Sequence, residues 1–179
     1  MPEATYLAPA KINLFLHITS KRADGYHNLQ TIFQLLDFGD EITFSLRNDG
    51  EINRTYGNET IPPDKDLILR SANTLKKYSK TISGVDIGVI KKIPIGGGLG
   101  GGSSNAATVL IALNDLWNLK LPKSELIDIG QNLGADVPVF VNGHSAWAEG
   151  RGDILTPINL PRFFYLVVSI NKHISTQEI

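Results

Sequence analysis

Residues 94–105 read PIGGGLGGGSSN, and this stretch decides how the rest of the chain is interpreted. Six of the chain's 17 glycines lie between Gly96 and Gly102. Glycine loses more conformational freedom on folding than any other residue, so such a cluster needs a structural reason. A backbone without Cβ atoms can point successive N–H groups at one anion. The stretch therefore predicts a loop that holds phosphate groups, although a flexible connector has the same composition.

The segments on either side of the glycines favour the phosphate loop over the connector. Residues 85–93 have the composition of a strand, and residues 104–117 have the spacing of an amphipathic helix. The apolar residues that set this spacing are Ala106, Val109, Leu110, Leu113 and Trp117. The positive end of the helix dipole would then face the same anion as the loop. Ser103 and Ser104 offer hydroxyl donors where the helix also needs a cap.

The glycine pattern does not match the better known phosphate loops. A Walker loop ends in Gly-Lys-Ser/Thr, whereas Gly102 is followed by Ser103. The dinucleotide-binding spacing is satisfied formally, but the acidic residue expected about 20 positions later would be Asp115, inside the predicted helix. A protein-kinase loop would lead into a strand rather than a helix. The loop therefore indicates phosphate binding without indicating any of these three classes.

Strand patterns dominate before the first helix and recur between the later ones. Strands are predicted over residues 5–18, 31–37, 41–46, 85–93, 137–141, 144–148 and 164–170, with a hairpin turn at 48–50 that returns along 51–56. Helices are predicted over residues 66–78, 104–117 and 122–133, and Gly134 would end the last one. Because this order is not a strict βαβ alternation, we expect an α+β fold with a mixed or antiparallel sheet packed with helices.

The composition excludes several classes of function. Of 179 residues, 42% are hydrophobic and 20% are charged, which is ordinary for one globular domain or two small ones. A net charge of −1 gives no general attraction for nucleic acid or an anionic membrane. With no cysteine, the chain has no disulfide, thiolate zinc site or iron–sulfur cluster. It also lacks a signal-peptide pattern, so we expect a soluble cytoplasmic protein.

Three segments in this order resemble the GHMP family of small-molecule kinases. They are PAKINLFLHI at residues 9–18, PIGGGLGGGSSNAAT at 94–108 and LGADVPVF at 133–140. The insert RADGYHNLQTIFQLLDFGDEI at 22–42 narrows the resemblance to the member whose substrate is a cytidine-diphosphate-linked methylerythritol. The resemblance implies the N-terminal GHMP domain, which is ribosomal protein S5 domain 2-like, over residues 1–160. Residues 161–179 would be the truncated start of a second, C-terminal domain.

The resemblance also implies where ATP binds. It assigns the phosphates to the glycine loop and the adenine to the start of the helix at 66–78. The residues that it implies for ATP are Pro94, Ile95, Gly96, Gly97, Gly98, Leu99, Gly100, Gly101, Gly102, Ser103, Ser104, Asp66, Leu67 and Lys91. Either Lys91 or Lys92 could face the nucleotide, while surface solvation is an ordinary role for both.

For catalysis the resemblance implies Asp136 as the base and Lys11 as its partner. From the residues alone, a solvated aspartate near a helix end is the commoner interpretation of Asp136, and Lys11 could equally be a lysine that extends to the surface. The family places the cytosine near Tyr26 and His27, where Tyr26 offers a face for stacking. A turn with a surface histidine is the alternative. Asn13 shares the strand face of Lys11 and would contact the erythritol portion.

The resemblance implies Mg²⁺ together with ATP, and the metal would be held largely by ATP oxygens. Ser104 is the expected protein contact to it, and the four histidines show no metal-ligand spacing. The function that follows is transfer of the ATP γ-phosphate to the 2-hydroxyl of the cytidine substrate in the non-mevalonate isoprenoid pathway. Two alternatives are another small-alcohol kinase of the family, acting on homoserine or mevalonate, and a catalytically silent nucleotide-binding module.

Overall fold

The computed structural model describes residues 3–57 and 61–168. Six strands and four helices lie within these ranges. The strands are β1 (Glu3–Lys21), β2 (His27–Arg47), β3 (Ile52–Tyr56), β4 (Gly84–Ile90), β5 (Ala146–Glu149) and β6 (Ile154–Pro157). The helices are α1 (Leu67–Ser79), α2 (Gly101–Leu116), α3 (Lys123–Gln131) and α4 (Val137–Asn142). The prediction of an α+β fold is confirmed.

The strands form one mixed sheet built around β2. Its order is β3-β4-β2-β5-β6, and β1 pairs with β2 on the other side. All pairs are antiparallel except β3 and β4, which are parallel. Because β2 is 21 residues long, β4 pairs with one end of it and β5 with the other. Side chains from both ends of β2 therefore share one sheet face.

Helix α2 is the centre of the hydrophobic core. Its buried side chains Val109, Leu110 and Leu113 pack in one cluster with Ile42 and Phe44 of β2. The spacing that predicted the helix is confirmed, since all five of its apolar residues are buried. The helix begins at Gly101, three residues before the predicted start, so two glycines of the loop form its first turn. Burial on nearly every side fixes the position of that first turn relative to the sheet.

The predicted break between two strands at residues 38–40 is wrong, because β2 continues through it. Gly39 permits this, since a Cβ at Gly39 would overlap the backbone of Ala8. Between Pro9 and Lys11 the register shifts, so that the β2 residues from Leu35 to Gly39 face a shorter stretch of β1. The extra β2 residues form an irregularity of the bulge type, which bends a strand without ending it.

The predicted hairpin at residues 48–56 is also wrong. The turn itself is present, and the Glu51 N–H donates to Asp49 Oδ1 at 3.0 Å. However, β4 lies between β2 and β3, so β3 pairs with β4 instead of returning along β2. Val85 and Ile87 of β4 are fully buried, whereas β3 is at best half-buried. The more apolar strand occupies the central position because it buries more surface there.

Residues 137–141 were predicted as a strand and form the helix α4. All five side chains are buried, and a short apolar run does not distinguish a strand from a buried helix. Pro138 in the first turn and Gly143 after the last residue, at φ 76°, mark the two helix ends. Helix α3 ends near the predicted position, with Asn132 as its C-cap.

The predicted strand at 164–170 is absent over residues 164–168, and the last two of its residues lie outside the described ranges. Phe164 and Leu166 are almost fully exposed. A strand needs a neighbour for its backbone hydrogen bonds, and no described segment pairs with this one. Strand β6, which lies just before this segment, was not predicted.

Candidate active site

A cleft of about 310 Å³ lies between the glycine loop and the start of α1. Its walls come from Lys91 just after β4, from the loop, from residues 61–66 before α1 and from the N-terminal turns of α1 and α2. The lining residues are Ile61, Lys65, Asp66, Leu67, Ile68, Lys91, Pro94, Ile95, Gly96, Gly97, Gly98, Leu99, Gly100, Gly101, Gly102, Ser103 and Asn105. Of the residues predicted to bind ATP, all but Ser104 line this cleft.

The loop backbone explains why glycines are needed. Gly96, Gly98 and Gly100 have φ of 75°, 72° and 71°, in the left-handed region that other residues rarely adopt. Gly100 is the N-cap of α2, and the Ser104 N–H donates to its carbonyl at 2.8 Å. The N–H groups of the three residues before Ser104 have no acceptor within the helix, as at any helix N-terminus. Those of Gly101, Gly102 and Ser103 belong to residues that line the cleft, so the cleft can receive an anion.

Asp40 anchors the loop where it leaves β4. Its carboxylate is fully buried and accepts the N–H groups of Lys92 at 2.7 Å and Ile93 at 2.8 Å. It also pairs with the Lys91 ammonium, which lies at the edge of the cleft. Lys92 points away and pairs with Glu41 at the surface. Of the two lysines that the sequence left open, Lys91 is the one that faces the cleft.

At the start of α1, Asp66 has a structural role within the cleft wall. It is the N-cap residue, and its carboxylate accepts the Ile68 N–H at 2.9 Å. The same carboxylate forms a buried ion pair with Arg54. These partners occupy the Asp66 side chain, so its contact with a nucleotide would come from its backbone or from Leu67 beside it.

Ser103 and Ser104 have different positions in the first turn of α2. Ser103 lines the cleft, and its hydroxyl lies 3.5 Å from where a Cβ on Gly134 would be. Ser104 is fully buried, and its hydroxyl has no hydrogen-bond partner within the described residues. The predicted Mg²⁺ contact through Ser104 would need a rearrangement of its side chain. Asn105, which the sequence analysis did not assign, lines the cleft with an unpartnered Oδ1 and is only 2% exposed.

Lys11 and Asp136 meet beside the loop, as the resemblance implied. Lys11 Nζ lies 3.5 Å from Asp136 Oδ2 and donates to Asn13 Oδ1 at 2.6 Å. The Lys11 side chain is 8% exposed and that of Asp136 is 34% exposed. The lysine is therefore enclosed, while the carboxylate remains open to a ligand. Asp136 precedes Val137 of α4, so the buried α4 holds its position.

The Lys11–Asp136 pair is joined to the glycine loop by direct contacts. The Lys11 N–H donates to the Leu99 carbonyl at 3.0 Å. A Cβ at Gly100 would lie 3.1 Å from Lys11 Cγ and 2.8 Å from Cζ of Phe140 in α4. Only a glycine leaves room for β1, α2 and α4 to converge here. A phosphate held by the loop would consequently lie near both charged groups.

The predicted acceptor residues continue along β1 and β2 from this pair. Asn13 Nδ2 donates to Thr31 Oγ1 at 2.8 Å, which orients the amide. Tyr26 is 59% exposed, and its ring lies 4.7 Å from the guanidinium carbon of Arg151. His27 is the exposed first residue of β2. The arrangement brings Asn13 to Lys11, whereas Tyr26 and His27 lie at the far end of the β1–β2 pair.

The turn that carries Tyr26 is held by Asp24. Desolvation acts to raise the pKa of Asp24, but hydrogen bonds from the Tyr26 N–H and from Arg22 lower it below its usual value overall. The N–H of Tyr26 donates to Asp24 Oδ1 at 3.1 Å. The carboxylate therefore remains ionised and keeps the backbone of Tyr26 in place.

Three residues of this region were not predicted from the sequence: Asp40, Asn105 and Arg151. The signal for Asn105 was its position inside the quoted glycine stretch. An acidic residue in the middle of an apolar strand was a signal for Asp40, which the predicted strand break obscured. Arg151 lies in a Gly-Arg-Gly turn that resembles any surface turn in sequence.

The sequence of residues 66–144 matches the family described as GHMP kinases N terminal domain. This match covers the glycine loop, Asp136 and most of the residues that line the cleft. The chain has the fold of the GHMP kinase N-terminal domain, and residues 66–144 are similar to that family. The resemblance drawn from the motifs is thereby confirmed.

Among the GHMP kinases, the chain is similar to 4-diphosphocytidyl-2-C-methyl-D-erythritol kinases. It is 60% identical over 176 residues to that of Ruthia magnifica subsp. Calyptogena magnifica, covering 98% of this chain and 62% of the relative. It is 56% identical over 172 residues to that of Alkalilimnicola ehrlichii, covering 96% of this chain and 59% of the relative. The chain therefore spans less than two thirds of the length of these curated relatives.

Solved structures agree with this similarity. A crystal structure of 4-(cytidine 5′-diphospho)-2C-methyl-D-erythritol kinase superposes with a TM-score of 0.76 at 39% identity, over 88% of this chain and 56% of that one. The mevalonate kinase of Methanococcus jannaschii superposes with a TM-score of 0.65 at 19% identity, over 88% of this chain and 56% of that one. The second match shows a shared fold only.

Residues 3–57 and 61–168 contain neither a membrane-spanning helix nor a cluster of metal-binding side chains. No helix in these ranges is long and apolar enough to cross a membrane. The same ranges contain no group of three or more His, Cys, Asp or Glu side chains that could hold a metal ion.

Proposed function

We propose that the protein transfers the γ-phosphate of ATP to the 2-hydroxyl of 4-diphosphocytidyl-2-C-methyl-D-erythritol. The observation that carries this proposal is the Lys11–Asp136 pair, 3.5 Å apart and in contact with a glycine loop at a helix N-terminus. The names of the relatives supply the substrate. Phosphoryl transfer passes through a loose transition state, so a protein contributes mainly position and charge.

Asp136 acts as the base in this proposal. Its partly open carboxylate accepts the proton of the 2-hydroxyl while the hydroxyl oxygen forms its bond to the γ-phosphorus. The bond from that phosphorus to the bridging oxygen of ADP breaks, and ADP leaves with the electron pair. Lys11 orients Asp136 and places a positive charge beside the transferred group. Asn13 would fix the erythritol portion.

The nucleotide would occupy the cleft between the loop and α1. The N–H groups of the first turn of α2 and the Lys91 ammonium face that cleft and suit a polyphosphate. Mg²⁺, when bound with ATP, would neutralise phosphate charge, and it is usually held through phosphate oxygens and few protein ligands. Asn105 Oδ1 and the Ser104 hydroxyl are both buried and unpartnered, but only Asn105 belongs to the residues that line the cleft, so a contact to that ion would come from Asn105 rather than Ser104.

Residues 1–160 are proposed to be the nucleotide- and substrate-binding domain, with residues 161–179 as the start of a second domain. The apolar side chains of Phe163, Phe164, Leu166 and Val168 are more than half exposed, although such side chains are usually covered. The relatives are also longer than this chain. Both observations support a second domain that packs against this segment.

The test is ATP-dependent ADP release by the 179-residue chain with the cytidine substrate, with homoserine and mevalonate as controls. We expect release with the cytidine substrate alone. If the chain releases no ADP with any substrate, it is fused to the C-terminal part of the Ruthia magnifica relative and assayed again. Silence of the fused protein contradicts the proposed kinase, and release with homoserine or mevalonate favours another alcohol kinase.

The role of Asp136 is tested with Asp136→Asn, which keeps the shape and removes the base. We expect turnover to fall by about 10²- to 10⁴-fold, the usual contribution of a general base. Asp128→Asn, an exposed aspartate of α3, is the matched control for the change in charge. Turnover of Asp136→Asn within a few-fold of the original would remove Asp136 from the base role.

A further inference from the structure

A short turn between β5 and β6 lies beside the proposed acceptor site. The Leu29 N–H donates to the Gly150 carbonyl at 2.7 Å, which fastens the turn to β2. Gly152 packs against the Phe33 ring, with 3.7 Å from its Cβ position to Cζ. Lys11 Nζ lies 5.1 Å from the centroid of the same ring. The Phe33 ring therefore lies between the turn at residues 150–152 and Lys11 of the Lys11–Asp136 pair.

Arg151, in the middle of this turn, faces the other end of the acceptor site. Its guanidinium lies over the exposed Tyr26 ring, with 4.7 Å from its carbon to the ring centroid. Thus one turn touches Phe33 beside the catalytic pair through Gly152 and touches Tyr26 through Arg151. The turn therefore lies alongside the surface between Lys11 and Tyr26.

The carboxylates around Arg151 are engaged with other groups. Asp153 Oδ1 accepts the backbone N–H of Arg151 at 2.9 Å rather than its guanidinium. Glu149 Oε1 accepts the Gln30 amide at 3.0 Å, and Asp24 pairs with Arg22. Within residues 3–57 and 61–168 the Arg151 guanidinium forms no ion pair at 4.0 Å or less. The charge of Arg151 contributes to the lowered pKa of Asp24, but only as the last of its causes, after the hydrogen bonds from Tyr26 and Arg22. A half-buried arginine with no carboxylate in ion-pair contact is available to an anionic ligand.

Building on the proposed function, we propose that Arg151 binds the diphosphate of the acceptor substrate. In a cytidine-diphosphate-linked alcohol, the diphosphate joins the reacting alcohol to the base. With the alcohol at Lys11–Asp136 and the cytosine against Tyr26, the diphosphate lies along the turn at residues 150–152. A guanidinium presents parallel N–H donors that match two phosphate oxygens. Arg151 thereby selects a nucleoside diphosphate ester over an uncharged small alcohol.

The experiment compares the affinities of cytidine, cytidine monophosphate and cytidine diphosphate, measured by titration calorimetry on the 179-residue chain. The variants are Arg151→Gln, Arg151→Lys and Tyr26→Ala, with Arg70→Gln on the exposed face of α1 as the matched control. The quantity of interest is the ratio of the diphosphate affinity to the cytidine affinity. A ratio within one protein is insensitive to the fraction that is folded.

We expect Arg151→Gln to lower this ratio by about 5- to 20-fold and to leave the cytidine affinity unchanged. This reaches from just below the usual range for a charge-assisted hydrogen bond into its lower part, because Arg151 is partly exposed to solvent. Arg151→Lys should keep part of the preference, since an ammonium retains the charge without the paired donors. Tyr26→Ala should weaken all three ligands, and Arg70→Gln should match the original protein.

Three results would overturn the assignment. If the ratio in Arg151→Gln equals that of the original protein, Arg151 does not contact the phosphates. If Arg151→Gln weakens cytidine and its diphosphate equally, the arginine serves only to hold Tyr26. If the original protein binds cytidine diphosphate no better than cytidine, no residue here reads the diphosphate. If the protein phosphorylates the cytidine substrate and one of these results is also obtained, the proposed role of Arg151 is refuted and the proposed function stands.

Discussion

Replacement of Gly100 by alanine tests the convergence of β1, α2 and α4 beside the loop. Gly100 has φ 71°, and an added Cβ would lie 2.8 Å from Cζ and 2.9 Å from Cε2 of Phe140. It would also lie 3.1 Å from Cγ of Lys11. Gly98 provides a matched control, because its φ is 72° and a Cβ there would meet no atom within 4 Å.

Both substitutions place an alanine in a left-handed conformation, and only Gly100→Ala also overpacks neighbouring side chains. A left-handed conformation costs an alanine about 1–2 kcal/mol, and restriction of the unfolded chain returns about 0.4–1 kcal/mol. Gly98→Ala should therefore lower the free energy of unfolding by about 1 kcal/mol. Overpacking against Phe140 and Lys11 adds about 1–3 kcal/mol for Gly100→Ala. The expected loss for Gly100→Ala is about 2–4 kcal/mol.

Urea unfolding of both variants and the original protein measures this difference, provided that the slope with denaturant is unchanged. In thermal unfolding, an extra 2 kcal/mol corresponds to a melting temperature about 4–8 °C lower for a domain of this size. Equal destabilisation by Gly98→Ala and Gly100→Ala would refute the reasoning. The close approach to Phe140 and Lys11 would then contribute nothing, and only the backbone conformation would require glycine.

Two further predictions concern charged side chains. Asp40→Asn leaves Lys91 and the start of the loop without their anionic partner, so we expect about 3 kcal/mol of destabilisation and weaker ATP binding. Glu41→Gln removes the exposed pair with Lys92 and should cost less than about 1 kcal/mol; equal effects in urea unfolding and ATP titration would contradict the anchoring role of Asp40. A hydrogen bond from Arg47, and secondarily the Glu51 N–H, hold the pKa of Asp49 at about 2. Because this folded-state pKa is depressed, the stability it contributes is present above about pH 4 and lost as the pH falls towards 2, and Asp49→Asn should flatten that part of the pH dependence of urea midpoints.

The sequence correctly predicted the elements that are determined by local residue patterns. Helix α2 has an apolar face at helical spacing, and α1 has an aspartate at its N-cap. The glycine loop was predicted from its conformational cost, and its alternating positive φ values agree with that reasoning. These features depend on residues close together in the chain.

Errors occurred where a distant partner decides the structure. The position of β4 between β2 and β3 depends on which strand buries more surface against α1 and α2, and no turn at residues 48–50 encodes this. The apolar run of α4 is helical because it packs on all sides against α2 and α3. A strand and a buried helix have the same composition in such a run, so the surroundings select between them.

The contact between Lys11 and Asp136 also depends on a distant partner and could not be predicted from local sequence. In a regular strand, alternation would bury Ala8 and Ala10 and turn Lys11 to the opposite face. All three are buried, with Lys11 only 6% exposed. The register shift between Pro9 and Lys11 makes this possible, because an irregularity in a strand pair changes which face the following side chains share. Lys11 therefore reaches Asp136 through a property of the β1–β2 pairing, and only the family resemblance, not the β1 sequence, could connect the two residues in advance.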